Sequence, residues 1–161
     1  MKHTIIAAIL SITFYGTTLA NTGVANGPAA PHATSAPSIP HFKGMEHFLE
    51  KFPQATDVNC RIRGQVTEVN FIWNGIKLQA FYDAAGEPVA TSRLITVDNL
   101  PVSVQMSLKK YYSAYVVSEA AEFDGAEDGL CYYVTVTGPK NSYLLHVSTS
   151  GTISVFKKMK Q

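Results

Sequence analysis

Residues 66 to 82 read VTEVNFIWNGIKLQAFY, and this stretch decides the fold. Polar and apolar side chains alternate on both sides of Asn74-Gly75, which is the pattern of strands that each bury one face. Asn-Gly is the preferred pair for a two-residue type I′ turn, because both of its positions need a positive φ. The stretch therefore predicts an antiparallel hairpin with strands at Val66 to Trp73 and Ile76 to Tyr82.

Further strands are expected on both sides of this hairpin. β-Branched and aromatic residues alternate there with polar ones, and turn residues such as Gly86 separate the runs. The remaining strands are predicted at Val58 to Arg63, Val89 to Ile95, Tyr115 to Phe123, Leu130 to Thr137, Ser142 to Ser148 and Thr152 to Phe156. Short connections between consecutive strands predict antiparallel pairing.

One helix is predicted before each group of four strands. The first apolar stripe consists of Met45, Phe48, Leu49 and Phe52, and the second of Leu100, Val104, Leu108 and Tyr111. Pro53 ends the first helix; Asp98 or Asn99 is expected to cap the second, with Pro101 in its first turn. The sequence therefore predicts an α+β fold of two tandem repeats, each one helix plus a four-stranded antiparallel meander. We expect the two repeats to share one continuous antiparallel sheet with the helices on one face.

The N-terminal segment has the composition of a secretory signal peptide. Lys2 and His3 precede an apolar run from Thr4 to Tyr15, and Thr18-Leu19-Ala20 offers small residues for cleavage after Ala20. We expect a signal peptide at 1–20, a disordered Pro/Ala/Thr/Ser linker at 21–41 and one domain at 42–161, with repeats at 42–96 and 97–161. The mature chain is then periplasmic or secreted, with no membrane span.

Composition narrows the class of partner. Thirteen basic and twelve acidic residues give a formal charge of +1, so the charge gives no reason to expect nucleic-acid binding. The 46% apolar content is enough for one sizeable core.

The folded part shows no pattern of catalytic or metal-binding residues. It contains no Gly-x-Ser-x-Gly, and His47 and His146 are interpreted as surface or sheet-packing residues. Cys60 and Cys131 match no metal-ligand spacing, and whether they form a disulfide stays open at this stage. The acidic group Glu122, Asp124, Glu127 and Asp128 is better explained as a solvated turn than as a calcium loop. We therefore expect a protein that is not an enzyme and has no catalytic, cofactor or metal site.

Aromatic side chains are the candidate binding residues. They are Phe71, Trp73, Phe81, Tyr82, Tyr132 and Tyr133. Because side chains alternate along a strand, half of them should face the helices and half the opposite side. We predict a non-catalytic module of the cell envelope that binds an exported protein, for example a peptidase, through the sheet face. The alternative is a binder of a small apolar ligand or peptide between sheet and helices; the oligomeric state stays open.

The chain from residue 45 to 158 resembles the PepSY-like family. The resemblance rests on Phe48, Phe52-Pro53, Ala55 to Val58, Val69 to Phe71, Asn74-Gly75, Ala80 to Asp83, Gly86, Leu100-Pro101, Val104 and Leu108 to Tyr111. The chain departs from the family pattern at three places. Cys60 stands where the family often has Trp, and Tyr112 stands where the family usually has Pro. Residues Ser148 to Gly151 replace an acidic turn. The resemblance implies a twisted antiparallel sheet with helices on one face, similar to beta-lactamase-inhibitory protein, an envelope location and no established activity. With this resemblance, the expected module is a binding or inhibitor-like one.

Overall fold

The computed structural model of the chain describes residues Pro40 to Lys160. In chain order the elements are α1 (Met45–Lys51), β1 (Thr56–Arg63), β2 (Val66–Trp73), β3 (Ile76–Tyr82), β4 (Pro88–Ile95), a 3₁₀ turn (Val97–Asn99), α2 (Val102–Tyr111), β5 (Val116–Gly125), β6 (Gly129–Thr137), β7 (Asn141–Ser148) and β8 (Ile153–Lys160). The predicted signal peptide and residues 21–39 of the predicted linker lie outside the described residues. Neither helix between Pro40 and Lys160 is long and apolar enough to cross a membrane.

The strands form one antiparallel sheet in which spatial order follows chain order from β1 to β8. The predicted hairpin at its start is confirmed: Trp73 pairs with Ile76, and Asn74 and Gly75 have φ values of 51° and 77°. Positive φ at both central positions gives the turn the right-handed twist of the strands that it joins. The sequence pattern therefore located β2 and β3 correctly, end to end.

The prediction of two tandem helix-plus-meander repeats is wrong. Strand β4 pairs with β5 along the whole run from Ala90↔Gly125 to Ile95↔Ala120, so the sheet continues without a boundary. The expected continuous sheet is present, but it is not divided into two four-stranded repeats, because the β4–β5 ladder pairs the edges that two meanders would leave open. Between Pro40 and Lys160, the architecture is one eight-stranded antiparallel sheet carrying two short helices.

Both helices pack on the same face of this sheet and build two separate cores. The α1 core contains Phe48, Phe52, Val69, Phe71, Ala80 and Tyr82. The α2 core contains Leu100, Val104, Leu108, Ala120, Tyr132, Val134, Val136, Leu145 and Val147. Residues directly opposite each other on paired strands share a face, which places both cores on one side.

The start and end of α2 differ from the prediction. Asp98 and Asn99 lie in the 3₁₀ turn and do not cap the helix, and Pro101 occupies the N-cap position. Tyr111 is 62% exposed, whereas Tyr112 packs against the α2 core. The last helical turn therefore directs Tyr112, the C-cap residue, to the position that the stripe had assigned to Tyr111.

A close backbone crossing joins the loop before α1 to the β3–β4 turn. Gly86 has the left-handed φ of 93° that its turn position predicts. A Cβ at Gly86 would lie 2.7 Å from the backbone nitrogen of Gly44. Asp83 holds the turn, since its Oδ1 accepts hydrogen bonds from the backbone amides of Ala85 and Glu87. This crossing positions α1 over β2 and β3.

Candidate binding face

The face of the sheet opposite both helices is called the open face, because no helix between Pro40 and Lys160 covers it. On the helix side, Thr91, Arg93, Glu122 and Asp124 of the central strands belong to neither core. Arg93 Nε donates to Glu122 Oε1 at 2.7 Å across β4 and β5, and this hydrogen bond raises the pKa of Arg93. At this level of the sheet, the apolar side chains of β4 and β5 are Ala90 and Phe123, and both lie on the open face.

These apolar side chains form the open-face cluster. Its members are Val66, Phe81, Ala90, Phe123, Cys131 and Tyr133, with Val89 and Leu144 packed at the margin. Phe81 and Phe123 are 2% and 3% exposed although neither helix contacts this side. Side chains contributed by β2 to β6 therefore cover one another and give the middle of the open face a well-packed apolar floor.

An aromatic row crosses this floor diagonally and reaches the far edge of the sheet. Ring centroids are 6.3 Å apart for Phe81 and Phe123, and 5.5 Å apart for Phe123 and Tyr133. Tyr133 then contacts the rings of His146 at 5.3 Å and Phe156 at 5.4 Å. Burial raises the pKa of Tyr133. Phe156 is 36% exposed, so the row ends in a ring that a partner can contact.

A polar network adjoins the apolar floor on β2, β3 and β4. Glu68, which is 8% exposed, accepts hydrogen bonds from Arg63 Nε at 2.8 Å and Asn70 Nδ2 at 2.9 Å. Gln79 Nε2 donates to Asn70 Oδ1 at 2.7 Å, and Ser92 Oγ donates to Gln79 Oε1 at 3.2 Å. Because its members are bonded to one another, the network holds these side chains in fixed orientations.

A groove of about 300 Å³ lies over this network. It is lined by Asp57, Asn59, Arg61, Glu68, Asn70, Phe71, Ile72, Lys77, Leu78 and Gln79. Arg61 and Lys77 make no ion pair within residues 40–160, and both are exposed. The open face thus combines an apolar floor with a polar groove whose two cations are free to meet an acidic group.

The six aromatic residues singled out from the sequence divide between the two faces. Phe71, Trp73 and Tyr82 pack in or against the α1 core, and Tyr132 lies in the α2 core. Phe81 and Tyr133 lie in the open-face cluster. Five of the six are at most 5% exposed, and Trp73, which donates its indole N–H to the Pro53 carbonyl at 3.0 Å, is partly buried.

Sequence reasoning missed several residues of the open face. Phe123, Phe156 and His146 complete the aromatic row, and Glu68 with Gln79 forms the centre of the polar network. Alternation along each strand supplies part of the signal. Phe123 and Phe81 are placed on the same face only when the register between the strands is also known. That register depends on pairing between distant strands.

The space between α1 and the sheet is small. A hollow of about 100 Å³ is lined by His47, Lys51, Ala80, Phe81, Tyr82, Pro88, Ala90, Thr91, Asp124, Gly125 and Ala126. Ligand pockets usually enclose roughly 300 Å³ or more. His47 Nδ1 lies 3.2 Å from the Tyr82 hydroxyl, and burial raises the pKa of Tyr82 to about 12. His47 therefore acts as a packing and hydrogen-bonding residue of the α1 core.

The two cysteines are free and lie on opposite faces of the sheet. Cys60 on β1 packs against the α1 core, whereas Cys131 on β6 belongs to the open-face cluster. Five strand spacings separate them, roughly 24 Å at about 4.8 Å each, whereas a disulfide needs Cα atoms within about 7 Å. Burial raises the pKa of both thiols, to about 11 for Cys131, where Asp128 and Asp124 add to the effect.

The acidic residues near the β5–β6 hairpin do not assemble into a site. Within the described residues, no group of three or more His, Cys, Asp or Glu side chains is placed to hold a metal ion. Glu122 pairs with Arg93, and Asp124 and Asp128 are exposed. These carboxylates belong to β5 and to an ordinary hairpin turn.

Comparison with known proteins finds relatives only at the level of the fold. No family model matches the chain, and no curated protein matches it in sequence. The resemblance to the PepSY-like family therefore stays a prediction.

Solved structures from Bacteroides share the architecture. A BLIP-like protein from Bacteroides fragilis superposes with a TM-score of 0.66 at 20% identity, covering 78% of this chain and 91% of that one. A DUF2874 family protein from Bacteroides ovatus gives 0.67 at 18% identity, covering 76% and 89%. A protein from Bacteroides eggerthii that is proposed to be periplasmic gives 0.65 at 16% identity, covering 76% and 89%. The chain thus has the BLIP-like fold, and none of these three proteins is named for a catalytic activity.

Proposed function

We propose that the chain is an exported, non-catalytic binding module of the cell envelope, which engages a protein partner through the open face. The observation that carries the proposal is the apolar floor beside a polar, cationic groove on the side that no helix covers. The signal-like N-terminus supports export, with cleavage near Ala20. The BLIP-like fold of proteins from Bacteroides is consistent with this reading.

A protein partner suits the open face better than a small molecule does. Protein interfaces combine an apolar centre that contains aromatic rings with a polar rim. The open face has this arrangement, spread over strands β1 to β8. The groove at its edge is open to solvent, whereas small-molecule pockets enclose most of their ligand.

Among the six aromatic residues predicted from the sequence, we assign Phe81 and Tyr133 to the binding surface as its floor. The residues that contact the partner directly are exposed ones on the same face. They are Phe156 and Leu94, which are 36% and 39% exposed, and the cations Arg61 and Lys77. Leu94 belongs to this surface because it pairs with Ala121, which pairs with Tyr133. The partner in this proposal is an exported protein, for example a peptidase, that presents an apolar residue beside a carboxylate.

Affinity capture from an envelope extract tests the proposal. The bait is the exported chain, compared with a Leu94→Asp, Phe156→Asp variant and with Met106→Asp, whose side chain is 67% exposed on α2. We expect one abundant partner whose recovery falls about tenfold or more with the open-face variant only, since removing contacts at an interface centre costs more than about 1.4 kcal/mol. Circular dichroism checks that all three chains are folded. Equal recovery from the three baits would contradict the proposal.

A further inference from the structure

The two edge strands of the sheet differ in how they are protected against strand addition. Strand β8 carries the exposed Lys157 and Lys158, and its register with β7 shifts at Leu144 and Leu145. Lysines and bulges are the usual means of preventing another strand from pairing with an edge. Strand β1 has one bulge, at Asp57 with φ of 52°, and runs in register with β2 from Asn59 onward. Its two arginines, Arg61 and Arg63, lie on the open-face side, so the helix side of this run carries no charge.

Backbone groups on the outer side of β1 have no hydrogen-bond partner among residues 40–160. The two-residue hairpin turn makes Arg63 and Val66 a hydrogen-bonded pair, so the pairs of Arg61 and Asn59 bond to β2 as well. Val58, Cys60 and Ile62 then point their N–H and C=O groups away from β2. Within the described residues, no backbone hydrogen bond outside the β1–β2 ladder reaches these three residues.

Ile62 makes this edge apolar as well as open. Its side chain is 80% exposed, more than any other large hydrophobic residue of the described chain. A single exposed isoleucine is ordinary on a protein surface. Beside an unpaired strand edge, however, it supplies the side-chain contact that an added strand needs.

We propose that two copies of this chain associate through antiparallel pairing of their β1 strands, centred on Cys60, to form a dimer with one continuous sheet. This register places Val58 opposite Ile62 of the second copy on the helix side, an apolar pair. On the open face, it places Asn59 opposite Arg61 of the second copy. A register centred on Arg61 would instead oppose two arginines, which is unfavourable.

The geometry limits the ladder to Val58–Ile62, because the Asp57 bulge ends it on one side and the Gly64 turn on the other. So short a contact belongs to the small, weak class of interfaces, and we expect a dimer that forms at high micromolar concentration. Since Asn59 and Arg61 also line the polar groove, the two grooves meet at the dimer seam. The inference goes beyond the proposed function and does not depend on it.

Sedimentation of the chain purified after export tests the association. We compare the wild type with Ile62→Lys, which gives β1 the protection that β8 has, and with Met106→Lys as a matched exposed control. The wild type and Met106→Lys should rise with concentration toward twice the monomer mass, and Ile62→Lys should stay monomeric. A wild type that remains monomeric throughout, or an Ile62→Lys variant that still dimerises, would overturn the proposal.

Hydrogen exchange by NMR tests the surface itself. In concentrated wild-type protein, the amides of Val58, Cys60 and Ile62 should exchange at least about tenfold more slowly than in dilute protein, and Ile62→Lys should abolish this difference. A dimer in which these three amides exchange freely at all concentrations would show that another surface associates. Neither sedimentation nor amide exchange depends on capture of a protein partner. Failure of the dimer proposal can therefore be distinguished from failure of the proposed function.

Discussion

Adjacent residues of the central strands have opposite roles in this protein. Tyr132 packs under α2, and the next residue, Tyr133, packs in the open-face cluster. Both are buried, because both sides of β6 carry a packed layer. An aromatic pair of this kind therefore reports a strand with two apolar faces rather than one face exposed to water.

Tyr82 gives the α1 core a dependence on alkaline pH. Burial raises its pKa to about 12, above the ordinary value of 10.0, so the unfolded chain releases this proton first. Its contribution to stability is therefore intact below about pH 10 and is lost as the pH rises toward about 12.

The variant Tyr82→Phe checks this sign. It should cost about 1 kcal/mol at neutral pH, because the hydrogen bond with His47 is lost. Between about pH 10 and 12 the free energy of unfolding of the variant should fall less steeply with pH than that of the wild type. The difference in slope corresponds to at most one proton. Urea unfolding across this range measures the slope, with the exposed Tyr111→Phe as control. Equal slopes for the wild type and Tyr82→Phe would contradict the assignment.

At the scale of elements, contacts between turns determine where α1 sits. Gly86 and Gly44 both have positive φ and cross so closely that neither position has room for a Cβ. The contact ties the β3–β4 turn to the residue that precedes α1. The helix is only seven residues long, so its stability comes from this crossing and from the α1 core.

Replacing Gly86 with alanine should be costly for two reasons that a control separates. The left-handed φ costs about 1 to 2 kcal/mol for any residue with a Cβ, and the clash with the Gly44 backbone adds to that. Gly64→Ala has only the first cost, because its φ is 62° and nothing lies within 4 Å of the new Cβ. Chemical denaturation should therefore give Gly86→Ala a loss of about 3 kcal/mol and Gly64→Ala about 1 kcal/mol. Equal losses would mean that the crossing contributes nothing.

The sequence pattern located the elements well where local chemistry determines them. Strands β2 and β3 and the Asn74-Gly75 turn follow from alternation and turn preference. Strand β8 extends to Lys160, four residues beyond the predicted end at Phe156. The lysine-rich end does not have the side-chain pattern of a strand, but its backbone pairs with β7. The cap of α2 was misplaced because the 3₁₀ turn uses Asp98 and Asn99 first.

The candidate binding face was predicted only in part. Alternation divided the aromatic residues between two faces, yet it does not say which face the helices cover. That choice depends on where α1 and α2 cross the sheet, and hence on contacts between distant residues. The polar network of Glu68, Asn70 and Gln79 was missed for the same reason, since its members meet only after β2 and β3 pair.

At the scale of the whole molecule, the β4–β5 ladder joins the strands that follow α1 and the strands that follow α2 into one sheet. On the helix side of this ladder, Arg93 and Glu122 form an ion pair. On the other side, Ala90 of β4 and Phe123 of β5 both belong to the open-face cluster. The open-face cluster takes residues from both sides of this ladder, so opening the ladder would expose the apolar floor. The binding face that we propose exists only while this ladder is closed.

Native-state hydrogen exchange at the β4–β5 ladder is the most direct test of this account. The hydrogen-bonded amides between Thr91 and Ile95, and between Ala120 and Asp124, should exchange through global unfolding. Their opening free energy should then match that of the β2–β3 and β6–β7 ladders to within about 1 kcal/mol. A markedly lower opening free energy at β4–β5, with both other ladders still protected, would contradict a single continuous sheet.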